Sequence, residues 1–107
     1  MFTDNFNIKH VYGQNLLEQY DINKINLIDI RESFELSICK IPGSLHIPMR
    51  SLLIGHKKLL DKDKTYYIIC HTGQRSYYTC DELIKNGYNV INVIGGIASI
   101  DEFNVPY

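Results

Sequence analysis

The sequence predicts an α/β domain built on a parallel sheet with helices on both faces. Short apolar runs suited to buried strands recur along the chain: "INLIDI" (25–30), "TYYII" (65–69) and "NVINVI" (89–94). Segments with helical spacing stand between them, and parallel strands need such crossovers. A cysteine, Cys70, follows the strongest of these strands directly, at the carboxyl end where open α/β sheets bind their ligands.

The elements follow in order. "NLLEQYDINK" (15–24) reads as a short amphipathic helix entered from "HVYGQ". "INLIDI" contains Asp29 and reads as a buried strand. "RESFELSI" (31–38) has helical spacing, with Phe34 and Ile38 on one face and Arg31 and Glu35 placed to pair at i,i+4. "KIPGSLHIP" (40–48) sets prolines and a glycine around a short extended piece at 44–47. "MRSLLIGHKKLL" (49–60) is helical, and "DKDK" (61–64) is a polar turn. "TYYII" is β-branched and aromatic throughout, so Tyr66 and Tyr67 should face opposite sides of the sheet. A helix over 76–86 is stopped by Gly87. "NVINVI" is the last strand, and "GG" leads into a short C-terminal helix.

At 107 residues the chain is expected to be one domain, 1–107, with a single core. A net charge of −1 offers no basic field for nucleic acid or an anionic membrane. No apolar run approaches the roughly 18–20 residues that span a bilayer. "MFTDNFNIKH" has neither the basic nor the apolar region of a signal peptide, so cytoplasmic residence is expected. Cys39, Cys70 and Cys80 are irregularly spaced without a C-x-x-C pair, and the histidines add no metal-ligand pattern. One reactive thiol is a better expectation than a disulfide framework or a metal site.

"CHTGQRS" (70–76) shows which thiol that is. A tight loop ahead of a helix N-terminus gathers backbone N–H groups into a small anion-binding concavity. Gly73 supplies a position where positive φ costs little, and Arg75 adds a permanent forked charge that can hold the ring in shape. A thiolate in such a cradle is stabilised against its thiol and becomes nucleophilic at neutral pH. The same amides would stabilise charge on whatever the sulfur accepts. The loop lacks the lysine and spacing of a Walker A motif, and no second cysteine makes it thioredoxin-like.

"LIDIRESFE" (27–35), "KIPGSLHIP", "YYIICHTGQRS" (66–76) and "NVIGG" (92–96), taken together and in this order, resemble the successive signatures of a single-domain rhodanese. The resemblance covers nearly the whole chain. It implies the rhodanese/Cdc25-like fold: a five-stranded, mainly parallel sheet flanked by helices, with the active-site loop after the fourth strand. It implies sulfurtransferase chemistry, in which Cys70 takes a sulfane sulfur from a donor such as thiosulfate or a persulfide and passes it to a thiol or cyanide. No metal or organic cofactor is implied. Matched position by position, the cradle is His71, Thr72, Gly73, Gln74, Arg75 and Ser76, and Asp29 and Arg31 match a supporting D-x-R. The loop from Cys70 to Arg75 counts six residues, as in rhodaneses, where the related phosphatases and arsenate reductases have one more. Rival readings are a non-enzymatic binding module, a relay fed by a cysteine desulfurase or another sulfur-relay protein, and a cysteine phosphatase or arsenate reductase. The chain departs from the family at "CKIPGS" (39–44), where "GHIPGA" is common, and at "IASI" (97–100), where an aromatic often follows the glycines.

Blander roles suit the neighbours. Cys80 shares a helical stripe with Tyr77, Leu83 and Ile84 and reads as core. Cys39 reads as incidental, although a bond to Cys70 is conceivable. Arg75 has Glu32, Glu35 and Asp81 as candidate partners. His71 should project outward from the ring, and Arg50 reads as solvated. Most of the tyrosines should be packing residues, with one or two at the pocket rim.

Overall fold

The computed structural model describes residues 7–103. Five strands, β1 (Lys9–Tyr12), β2 (Asn26–Asp29), β3 (Leu45–His46), β4 (Thr65–Ile69) and β5 (Asn89–Ile94), form one sheet in the order β1-β5-β4-β2-β3. Every neighbouring pair is parallel. The central strand β4 therefore has covered ladders on both sides, and Ile68 and Ile69 are fully buried on opposite faces.

Helices α1 (Gly13–Gln19), α2 (Ser33–Ile38), α3 (Met49–Leu59) and α4 (Gln74–Lys85) make the crossovers. One core joins Ile28, Ile68 and Val90 of the sheet to Leu52 of α3 and Cys80 and Leu83 of α4. The other joins Leu27, Ile69 and Val93 to Leu16 of α1 and to Ile97 and Ile100 beyond β5. Tyr66 belongs to the first core and Tyr67 packs against the second, as strand alternation requires.

Several local expectations are corrected. The "HVY" segment is a strand, not a helix entry; its side chains are mostly exposed, so it carries no apolar alternation. The helix expected over 15–24 is shorter and is followed by a 3-10 turn at Ile22–Lys24, where Asp21 accepts from Asn23 N–H. Phe34 and Ile38 do lie on one face of α2, but it is a solvent face: they are 68% and 48% exposed. Helix α4 begins at Gln74, two residues early, because Gly73 at φ +96° turns the chain straight from the loop into the helix. At its other end Gly87, at φ +89°, closes the helix with N–H bonds from Gly87 to Ile84 O and from Tyr88 to Leu83 O. The C-terminal helix resolves into two 3-10 turns, Ile97–Ser99 and Asp101–Phe103.

Gly96 sets the spacing between β4 and the chain after β5. A Cβ there would stand 2.4 Å from Cys70 O and 2.5 Å from His71 O, and its φ is +58°. Gly55, inside α3, is the opposite case: a Cβ there would meet Leu59 Cδ1 at 3.1 Å, the end of a half-exposed flexible side chain. Gly96→Ala is expected to lower the unfolding free energy by more than about 2 kcal/mol. Gly55→Ala should raise it by about 0.5–1 kcal/mol, the ordinary mid-helix gain. Urea midpoints of the two variants check both signs.

Candidate active site

Strand β4 delivers Cys70 to the carboxyl edge of the sheet, and the backbone there is tied from behind. Ile97 N–H donates to Cys70 O and Ala98 N–H to His71 O, both at 2.9 Å. The loop then folds over the sulfur. Gly73 N–H donates to Cys70 Sγ at 3.2 Å and Ser76 N–H at 3.3 Å. Ser76 Oγ lies 3.4 Å from Sγ, accepting from the thiol and able to donate to a thiolate. Gly73 is the N-cap of α4 and has no side chain to cap it, so the cysteine sulfur takes the N3 N–H that a capping side chain would accept. The positive end of a twelve-residue helix thus faces Sγ.

The thiol is fully covered: Cys70 has 0% exposure, although it stands at the carboxyl end of the sheet where ligands bind. Thr72 and Gln74 are exposed on the outside of the loop, and His71 is half-buried.

Arg75 stands in the first turn of α4 and turns to α2. Its Nη1 and Nη2 donate to Glu35 Oε2 and Oε1 at 2.9 and 2.7 Å. The Glu35 carboxylate is thus held by Arg75, while Arg31, four residues before it, donates to the Glu35 backbone carbonyl at 3.4 Å. Glu35 Oε2 also accepts from Glu32 N–H at 2.8 Å, one half of a capping box that starts α2. The Arg75 hydrogen bond, with help from the Glu32 N–H and the charges of Arg75 and Arg31, holds the Glu35 carboxyl below its ordinary value against the opposing effect of burial.

Arg31 and Asp29 are both fully buried. Arg31 Nη2 donates to Asp29 Oδ2 at 2.9 Å, and its Nε reaches both carboxylate oxygens at 3.1 Å. The same guanidinium donates to Cys39 O at 2.8 Å and to Glu35 O at 3.4 Å. His46 Nε2 donates to Arg31 O at 2.7 Å, which places the ring hydrogen on Nε2. One buried pair thus joins the end of β2 to α2, the loop after it and β3. Removing either partner would strand a charge, which costs about 3–5 kcal/mol in such settings.

The remaining cysteines stand apart. Cys80 is fully buried, and burial, with a smaller effect of Cys70, pushes its thiol far up. Cys39 is half-buried, lies 3.9 Å from Phe103 O and packs against the α1-side core. All three thiols are free. Arg50 is exposed. Among the described residues no cluster of side chains could hold a metal ion, and no helix is long and apolar enough to cross a membrane.

Two site residues escaped the sequence reading. Gly96 was visible only as part of "NVIGG"; its close approach to Cys70 O depends on a contact between separate strands. Glu35 stood among three possible partners for Arg75, and no local signal separates it from Glu32 or Asp81, since the pairing spans forty residues. A direct consequence concerns acid. A carboxyl held low in the folded state stabilises the fold at pH values above its ordinary 4.5, and that contribution fades as pH falls through the lowered value. The difference in urea midpoint between the native chain and Glu35→Gln should therefore be largest near neutrality and shrink below pH 4.5. A pH-independent difference would contradict the assigned ion pair.

The rhodanese-like domain model matches residues 13–102. Among curated proteins, YtwF of Bacillus subtilis (strain 168), named provisionally as a sulfurtransferase, is 36% identical over 91 residues, covering 84% of this chain and 87% of the relative. A protein of Allochromatium vinosum named sulfurtransferase is 34% identical over 87 residues, 80% of each chain. The crystal structure of a Staphylococcus saprophyticus subsp. saprophyticus protein superposes with a TM-score of 0.78 at 36% identity, over 90% of this chain and 93% of the other. These names support a rhodanese-type sulfur-transfer role in general terms, and the five-stranded sheet with Cys70 after β4 is the fold of the solved structures. The chain belongs to the rhodanese-like domain family.

Proposed function

We propose that the protein is a rhodanese-type sulfurtransferase, working in the cytoplasm, with Cys70 as the persulfide carrier. The observation that carries this reading is the set of polar groups on one sulfur: two backbone N–H donors, and the Ser76 hydroxyl that accepts from the thiol and can turn to donate to a thiolate, all within 3.4 Å of Cys70 Sγ. Such a set favours negative charge on sulfur in the thiolate and again on the outer sulfur of a persulfide. With thiosulfate as donor, the Cys70 thiolate attacks the sulfane sulfur, a new S–S bond forms, and sulfite leaves with the electron pair of the old one. Cyanide or a thiolate then attacks the outer sulfur, takes it away, and returns the electron pair to Cys70 as thiolate. Because the resting thiol has no exposed surface, the atoms packed around it must shift before a donor reaches it.

The cradle residues divide the work. Gly73 and Ser76 supply the N–H groups. His71 holds the loop to the chain after β5 through its carbonyl. Arg75, spent on Glu35, fixes the loop's exit rather than facing the sulfur. Thr72 and Gln74 form the outer rim. Asp29 and Arg31 support from below. The six-residue loop favours one sulfur atom over a tetrahedral oxyanion, which disfavours phosphatase or arsenate reductase activity.

A relay fed by a cysteine desulfurase is the second reading. It is favoured by exposed Phe34 and Ile38 on α2, the helix joined to the loop through Glu35 and suited to meeting another protein. Thiocyanate formation from thiosulfate and cyanide tests the main reading. Turnover should vanish in Cys70→Ser and fall about 10- to 100-fold in Ser76→Ala. Turnover retained by Cys70→Ser, or hydrolysis of a phosphate ester in its place, would overturn it. Persulfide uptake from a desulfurase with negligible thiosulfate turnover would select the relay.

A further inference from the structure

Helix α3 turns a basic face to solvent. The segment from Lys40 to Leu60 holds four of the chain's eleven basic residues and none of its twelve acidic ones, so positive charge is concentrated there although the whole chain carries a net −1. At 3.6 residues per turn, Arg50, Ile54, Lys57 and Lys58 share about 100° of the helix circumference. All four are exposed, and Leu52 on the opposite side is in the core. Ile54, 74% exposed, has Arg50 one turn before it and Lys57 and Lys58 one turn after it. None of the three cations forms an ion pair with a described residue; the pairs there use Arg31, Arg75 and Lys85.

Helix electrostatics account for only part of this face. Lys57 and Lys58 lie in the last turn, where the helix end favours cations. Arg50 lies in the first turn, where the same field opposes a cation, and no acidic residue stands there to offset it. Arg50 is also close to the reactive end of the sheet. Met49 N–H donates to Ile30 O at 2.9 Å and Ile30 N–H to Ile69 O at 3.0 Å, and Ile69 directly precedes Cys70. Two strand spacings, about 10 Å, therefore separate the start of α3 from the end of β4. From there the basic face runs away from the cysteine along an eleven-residue helix, roughly 16 Å long. An exposed apolar side chain ringed by unpaired cations fits a surface that sets carboxylates around a small apolar contact. A membrane would want a broad apolar face, and here Ile54 stands alone among cations.

We propose that the face made by Arg50, Ile54, Lys57 and Lys58 docks an acidic protein that brings sulfur to Cys70 as a cysteine persulfide. This rests on Cys70 being the sulfur carrier. The Cys70 thiolate attacks the outer sulfur of the partner's persulfide, which keeps its proton. A new S–S bond forms as the old one breaks, and the partner's cysteine leaves as thiolate with that electron pair. The basic face speeds encounter and holds the partner beside the Cys70 loop, and it takes no part in the bond exchange.

Two synthetic peptides test this, each with one cysteine persulfide and a central leucine, one flanked by glutamates and the other by lysines at the same positions. Intact mass follows the sulfur reaching Cys70, with glutathione persulfide as the small donor. At low ionic strength the acidic peptide should transfer at least about tenfold faster than the basic one, and the advantage should fade near about 0.5 M NaCl. Arg50→Glu, Lys57→Glu and Lys58→Glu together should reverse the preference, and Ile54→Ser should slow the acidic peptide about threefold or more. All four positions are exposed, so these variants should fold, and glutathione persulfide uptake should stay within about twofold in each. Equal rates from the two peptides, or a preference unchanged by the triple substitution, would overturn the docking face while intact glutathione persulfide uptake leaves Cys70 as carrier. No uptake by the native chain from any of the three donors would overturn the carrier role and the docking face with it. Binding to phosphatidylglycerol vesicles that Ile54→Ser abolishes, without a peptide preference, would overturn the protein partner in favour of a membrane.

Discussion

The backbone at Cys70 is pinned from one side so that it can be wrapped from the other. The carbonyls of Cys70 and His71 accept from Ile97 and Ala98, and this contact is close enough that only a glycine fits at position 96. With the strand end fixed, the next residues can turn at Gly73 and start α4 with their N–H groups facing the sulfur. Gly73 is itself packed tightly, since a Cβ there would come within 2.9 Å of Gly95 N. Two glycine contacts therefore clamp the loop between β4 and the chain that follows β5. The donors around Sγ are consequences of that clamp, preorganised before any ligand arrives.

The charged groups nearby are arranged as supports. Arg31 and Asp29 form a buried pair whose spare donors tie down the Glu35 and Cys39 carbonyls. Glu35 in turn holds Arg75 with both oxygens. The chain of contacts runs from β2 through α2 to the first turn of α4, so the helix that caps the sulfur is anchored to the sheet at a second point. An arginine next to a reactive cysteine invites the view that its charge acts on the sulfur directly. Here two of its N–H donors are committed to Glu35, and the hydrogen bonds to Sγ come from the backbone N–H groups of Gly73 and Ser76 at the start of α4.

The sequence was most legible where local pattern and tertiary role agree. Strands β4 and β5 announce themselves by β-branched and aromatic residues, and the cysteine loop by its glycine and the helix after it. The β1 strand was illegible because an exposed edge strand has no buried face to print an alternation on "KHVY". Phe34 and Ile38 share a helix face, as their spacing says, but spacing says nothing about what that face meets, and here it meets solvent. The pairing of Glu35 with Arg75 spans forty residues and was one of several charge pairings the sequence allowed. The Asn92–His10 contact likewise depends on β1 lying beside β5, which no local signal encodes.

The central claim is that the cradle around Cys70 is built to hold an added sulfur. The most direct measurement is intact mass with peptide mapping after incubation with thiosulfate, polysulfide or glutathione persulfide. The account predicts a gain of one sulfur atom, located on the peptide carrying Cys70 and removed by cyanide. An unmodified protein with every donor, or the added sulfur found on Cys39 instead, would contradict it.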